Sequence, residues 1–347
     1  MSQSCLGNWC RRKAITIHAS QVVGGPHADM PVLIHLVSDP DLEAAARSDG
    51  FDLVFTDSDG NTRLSYERQS YVSSTGELIA WVRVPTVSST ADSIVYLYYG
   101  NSAATDQQDA AHTWDASYKG VWHLEATLDD STALRNDGTA SGGTTLGVPA
   151  PIGNGVSFDG IDDQITMADS PSLDSTAAAG TISVWIKWVT SAVGHYQILM
   201  SSSNRYTGDR LGIEWAVQGN GNHYFYPCGD GGGTDPYNLG PDPFTDGTWQ
   251  YLVVTWEYTS HDVVIYVDGV AMSLTTIDAK TMWNQLAVTN NWLWGGNPDY
   301  GGAYFAGMLD EIRVSNVVRP IEWIQTEYRN QDKPAMFFTI GPEVVLQ

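Results

Sequence analysis

Through the first hundred residues the chain lays down short apolar or β-branched runs, several alternating with polar positions, and only one stretch with helical spacing. The runs Ala14–His18, Pro31–Leu36, Asp52–Phe55, Leu78–Val84 and Ser93–Tyr99 read as strands, because such side chains on a pleated ribbon bury one face. Turn pairs separate them at Asp59-Gly60, Thr75-Gly76 and Gly100-Asn101, residues that accept tight backbone. One short helix is predicted over Asp39–Arg47, which opens with acidic residues and a proline, as helix starts do.

A stretch rich in Ala, Asp and Gln, Ser102–Ser117, reads as a connection between domains. Strand signals resume at Val121–Leu124, Gly155–Phe158, Gln164–Met167, Thr181–Trp188 and Gln197–Ser201. They continue at Leu211–Val217, Asn222–Tyr226, Trp249–Trp256, Val263–Val267, Leu293–Gly295 and Ala306–Ser315, before a brief helix near Arg319–Arg329. Short strands divided by Gly, Asp, Asn and Pro predict an all-β protein built from sandwiches or a jelly roll. At 347 residues two domains are expected, since domains run to roughly 100–200 residues each. Their boundaries are set at 1–115 and 116–347, with the tail packing back on the first domain.

Charge narrows the partners. Seventeen Lys and Arg against 40 Asp and Glu give a formal charge of -23, a field that repels phosphate backbones and anionic membranes. Nucleic acid is therefore excluded as a partner, and anionic polysaccharides are disfavoured unless a cation bridges the two. No apolar run is long enough to cross a bilayer as a helix, so membrane insertion is not expected. The aromatic surplus points the other way: 13 Trp and 17 Tyr stand against 8 Phe. Trp and Tyr join an apolar face to a polar tip, which suits half-wetted ligands such as sugars as well as sandwich cores. Of three cysteines, Cys5 and Cys10 are close enough to form a staple in an oxidising compartment, and Cys228 has no evident mate. Met1-Ser2-Gln3-Ser4 leads straight towards the first strand with no apolar leader, so export would require a leader already removed.

Several stretches of the second half resemble the concanavalin A-like lectin/glucanase superfamily, in its laminin-G-like branch. They are Val121-Trp122-His123-Leu124 with Asp130-Ser131 and Asn136-Asp137-Gly138-Thr139, then Phe158-Asp159-Gly160-Ile161-Asp162-Asp163 and Thr181 to Lys187. Ile265-Tyr266-Val267-Asp268-Gly269 and Phe305 to Arg313 complete the series, in the expected order over residues 120–320. The first half is similar to a domain of unknown function that precedes such jelly rolls in secreted bacterial proteins. Trp9 to Ile17, Phe51 to Asp57, Ala80 to Pro85 and Tyr96 to Asn101 carry that likeness, and the tail Trp323 to Gln331 resembles the end of the tandem. The resemblance implies an N-terminal β-sandwich followed by a jelly roll, and a secreted or cell-surface location. It also implies one structural calcium, which carries over onto Asp159 and Asp310, with Asn136 or Asp137 nearby.

Signatures of catalysis are missing. The Glu-x-Asp-x-x-Glu strand of laminarinase-type relatives does not occur, and adjacent Asp310 and Glu311 should point to opposite faces of a strand. Glu214 and Glu257 stand alone. No His-Glu-x-x-His, Gly-x-Ser-x-Gly or phosphate loop is present, and the eight histidines show no ligand spacing. What remains is an aromatic and cationic cluster: His195, Arg205, Arg210, Trp215, Tyr224, Tyr226, Trp292 and Trp294. Period two aligns Tyr224 with Tyr226 and Trp292 with Trp294, an expected sugar-stacking platform. The expectation is an extracellular polysaccharide-binding module without catalytic activity. The alternative is a glycoside hydrolase or lyase with carboxylates drawn from separate strands.

Overall fold

The computed structural model describes residues 5–174, 178–189, 197–202, 212–217, 222–228, 237–241, 244–257, 259–260, 262–272, 275–276, 291–298 and 303–347. In chain order the first elements are β1 (Arg11–Ile17), β2 (His27–Leu36), α1 (Pro40–Ala45), β3 (Val54–Thr56), β4 (Tyr66–Val72), β5 (Glu77–Val87), β6 (Ser93–Tyr99) and α2 (Ala110–Thr113). There follow β7 (Tyr118–Trp122), β8 (Gly138–Ser141), β9 (Thr145–Pro149), β10 (Asn154–Asp159), β11 (Gln164–Met167), α3 (Pro171–Asp174), β12 (Ala179–Trp188) and β13 (Gln197–Ser201). Next come β14 (Gly212–Val217), β15 (Asn222–Cys228), β16 (Tyr237–Pro241), β17 (Trp249–Glu257), β18 (Asp262–Val267), β19 (Val270–Ala271) and β20 (Thr275–Thr276). The last are β21 (Trp292–Trp294), β22 (Gly296–Asn297), β23 (Ala303–Tyr304), β24 (Ala306–Ser315), α4 (Ile321–Asp332), α5 (Pro334–Phe337), β25 (Phe338–Ile340) and β26 (Val344–Val345).

The chain divides into two compact units, one of Met1–Asp115 with Pro320–Gln347 and one of Ala116–Arg319. The boundary drawn from sequence at 116–347 thus differs at its far end. The reason is strand pairing: β25 adds to the edge of β1 (Ile15 opposite Ile340), and β26 pairs with the start of the same strand.

In the first unit a sheet ordered β25-β1-β6-β3 faces a second ordered β2-β5-β4. Alternate residues of each strand meet between them: Ile15 and Ile17, Val32 and Ile34, Ala80 and Val82, Val95 and Leu97, the pattern that period two dictates. Cys5 and Cys10 form a disulfide. Asp39 caps α1 by accepting from the N–H groups of Asp41 and Leu42. This helix stops earlier than the sequence suggests, because the Arg47 N–H turns to Asp52 Oδ1 at 3.0 Å. The strand β4, absent from the sequence reading, lies at the sheet edge; its Glu67-Arg68-Gln69 run hides any alternation, as charged edge strands do.

The second unit stacks two eight-stranded sheets. One runs β19-β18-β17-β12-β24-β10-β9, with β7 also paired to β24; the other runs β20-β16-β15-β14-β13-β21-β11-β8. Their shared core includes Trp122, Phe158, Trp188, Trp256, Trp294 and Phe305. Asp130, fully buried, organises the loop after β7 by accepting from Val121 N–H, Thr132 N–H and Oγ1, and Asn136 N–H.

Candidate functional site

The sheet containing β13, β14 and β21 has one face in the core, and its register shows which residues lie there. Trp292 opposes Met167, and Trp294 opposes both Ile165 and Met200. Trp215 is in turn opposite Met200. Trp215, Trp292 and Trp294 are only 3%, 3% and 1% exposed. The expected stacking platform is therefore corrected at these three positions: they share a face with Ile165 and Met167, and that face is the sandwich interior. Tyr224 and Tyr226 stand opposite Ala216 and Glu214, alternating with the Phe225 that opposes Trp215. Their register positions fall on the sheet's other face. His195, Arg205 and Arg210 lie outside the described residues.

That other face carries a continuous row of directly opposed residues. Thr139 pairs with Thr166, Thr166 with Leu293, Leu293 with Ser201, Ser201 with Glu214, and Glu214 with Tyr226. Directly opposed residues share a face, so the row of register positions crosses six strands. Asn297 marks its middle, donating from Nδ2 to Ser201 Oγ at 3.0 Å, and Ser201 is fully buried there. Thr166 and Leu293 are half-buried and Thr139 is exposed. The sequence signal for this row was faint, because Thr, Ser and Leu carry no motif.

The ligand pair Asp159 and Asp310 is also corrected. Asp159 opposes Ala306 in the β10–β24 ladder, whereas Val156 opposes Leu309. Asp310 is thus four residues further along, about 13 Å at strand rise, and one ion cannot touch both. Asn136 and Asp137 are engaged locally: Asn136 Nδ2 donates to the Lys119 carbonyl, and Asp137 Oδ1 accepts from Asp130 N–H.

Asp310 and Glu311 do not point to opposite faces. Leu309 and Ile312 both line the core, so the two residues between them are bulged off it, and Glu311 takes φ 52°. Both are fully buried. Asp310 Oδ2 accepts from Ile152 N–H at 3.0 Å while Oδ1 has no hydrogen-bond partner. Burial, with the Glu311 charge beside it, pushes the Asp310 carboxyl well above the usual range. Burial opposes ionisation of Glu311 too. There His123 at 2.7 Å and Arg313 at 2.8 Å outweigh it and hold the carboxyl below its ordinary value. Of these two neighbours Asp310 is the one with a carboxylate oxygen that accepts no hydrogen bond, and Asp159 is not its companion. Elsewhere, where β10 ends, Asp159, Asp162 and Asp163 converge. In the sequence Asp162 and Asp163 enter only as part of the Phe158-to-Asp163 stretch that carries the resemblance, with no ligand role.

No curated protein matches the chain. Among solved structures it is similar to the receptor binding domain of botulinum neurotoxin D, at 12% identity over 62% of this chain and 53% of that one, with a TM-score of 0.48. It is likewise similar to the binding domain of Paraclostridial Mosquitocidal Protein 1, at 14% identity over 61% of this chain and 52% of that one, with a TM-score of 0.47. The chain spans about half the length of these structures. Residues 49–132 match the model of a domain of unknown function (DUF2341), and residues 159–325 after them match that of the concanavalin A-like lectin/glucanases superfamily.

Proposed function

We propose that the second unit is a non-catalytic glycan-binding module of an extracellular or cell-surface protein, and that its ligand is a neutral polysaccharide. The observation that carries this reading is the row Thr139–Thr166–Leu293–Ser201–Glu214–Tyr226 across the non-core face. Sugar rings offer C–H faces to apolar and aromatic groups, and hydroxyls to oxygen partners, and the row includes residue types of both kinds. A formal charge of -23 favours an uncharged ligand. Glycosidase chemistry needs two carboxylates roughly 5–9 Å apart; among the described residues the row contributes one, Glu214.

Affinity electrophoresis through gels containing neutral polysaccharides tests the reading, with Tyr226→Ala as the variant. Retardation of the wild type, weakened about ten- to a hundredfold in the variant, supports it. New reducing ends released from the retarding polysaccharide would instead support the hydrolase alternative. Equal retardation of both proteins would place binding on another surface.

A further inference from the structure

Where β10 ends and β11 begins, Asp159, Asp162 and Asp163 each bring a carboxylate oxygen to within 4.8 Å of the other two. We infer that this cluster, together with the buried free oxygen of Asp163, is a divalent-cation site suited to calcium. Part of the cluster has a local explanation. Asp159 Oδ1 accepts from Ile161 N–H, and Asp163 Oδ2 accepts from Asp159 N–H, each at 2.8 Å. Those bonds shape the turn and leave one oxygen of Asp159 and both of Asp162 free for other work.

They do not explain Asp163. Its side chain is buried, at 3% exposure, yet Oδ1 accepts no hydrogen bond. A buried carboxylate oxygen without a partner is costly, and here two further carboxylates stand beside it. Among the described residues no Lys or Arg forms an ion pair with any of the three.

A bound cation supplies a positive charge there. Calcium takes oxygen ligands at roughly 2.3–2.6 Å, so oxygens on opposite sides of one ion lie about 4.8 Å apart. The cluster already meets that limit. The adjoining Gly142-Gly143 turn keeps the position open. Both residues have positive φ, 80° and 131°, and a Cβ on Gly143 would come within 3.3 Å of Asp163 Oδ1. A Cβ on Gly142 would collide with the Asp162 carbonyl at 2.0 Å. Three hard anionic oxygens in a glycine-lined turn discriminate against soft metals and suit calcium. The site is separate from the Asp310 oxygen, and it does not depend on the glycan reading.

The test is calorimetric titration of calcium chloride alone into the chelator-treated full chain. Saturable binding is expected, and Asp162→Asn, at an exposed residue that places no demand on the fold, should remove one equivalent or weaken it about tenfold or more. Asp163→Asn should do the same, while Asp310→Asn leaves that equivalent in place. Two outcomes overturn the inference: no saturable heat up to about 10 mM calcium, or Asp162→Asn and Asp163→Asn curves that superimpose on the wild type.

Discussion

The carboxamide of Asn330 in α4 serves Leu33 of β2 as a neighbouring strand would: Oδ1 accepts from the Leu33 N–H at 2.7 Å, and Nδ2 donates to the Leu33 carbonyl at 3.0 Å. The strand β2 pairs with β5 on one side only, and an open edge exposes unpaired backbone groups that invite association with other chains. One side chain, 1% exposed, satisfies both groups where the edge is covered.

Replacing Asn330 with Ala strands both Leu33 groups in a dry place. The first unit is expected to lose about 2–4 kcal/mol, since each buried unsatisfied group costs about 1–3 kcal/mol. Asn330→Asp should fail to restore it, because a carboxylate can accept from the N–H but cannot donate to the carbonyl. Urea denaturation followed by tryptophan fluorescence measures both. A loss below about 0.5 kcal/mol in the Ala variant would show that the pairing is dispensable.

Neighbouring residues of β21 should behave as opposites. Trp292→Ala empties core volume and is expected to cost about 3–5 kcal/mol. Leu293→Ala, on the other face and half-buried, should cost about 1 kcal/mol yet weaken retardation by the polysaccharide. Melting curves and affinity gels on the two variants separate packing from recognition.

Lys13 gives the first unit an alkaline limit. Its ammonium is buried and paired with Asp39 and, at 2.8 Å, with Asp41. Burial works against the charge, but the hydrogen bonds and charges of the two aspartates prevail and raise the Lys13 pKa above 10.5. The folded state therefore holds this proton more tightly than the unfolded chain does. The resulting stability is fully present below pH 10.5 and is lost as pH rises through the folded value. Lys13→Met should remove that component of the pH slope and cost about 3–5 kcal/mol at neutral pH, by leaving Asp39 uncompensated. Denaturant midpoints between pH 8 and 11, taken for both proteins, provide the check.

Asp130 is expected to be structural. Alanine in its place orphans the four donors gathered from Val121, Thr132 and Asn136, a loss of more than about 4 kcal/mol in the second unit. Calcium binding at the Asp162 cluster should persist in whatever fraction of Asp130→Ala remains folded. Differential scanning calorimetry with and without calcium reports both effects.

Most strands were legible because β-branched alternation is a local property, visible at Pro31–Leu36 or Thr181–Trp188 without any partner in view. Edge strands were not: β4 trades alternation for charge. Faces were the harder problem. Period two groups Trp292 with Trp294 but does not say which side of the sheet is core; only the pairing with Ile165 and Met167 decides it. At Asp310-Glu311 the alternation itself breaks, since one residue with positive φ turns two neighbours to the same side. The Asp159–Asp310 pairing failed for a related reason, a four-residue offset along a ladder whose register no motif records. Asp163 was overlooked because a single unpartnered oxygen is a property of burial, which composition and spacing do not contain.

Because strands β25 and β26 close the first sheet from beyond residue 337, the jelly roll is a guest inserted within a host. A ribosome has released all of the guest before it supplies the host's last strands. The host's N-terminal segments, β1 to β6, must therefore wait with one side of β1 unpaired while more than two hundred residues are made. Cutting the chain after Arg319 would accordingly injure the unit at the opposite end of the sequence and spare the one beside the cut. For any attempt to express the parts separately, residues 116–319 form the portable piece, whereas the host needs both of its segments joined by a short tether.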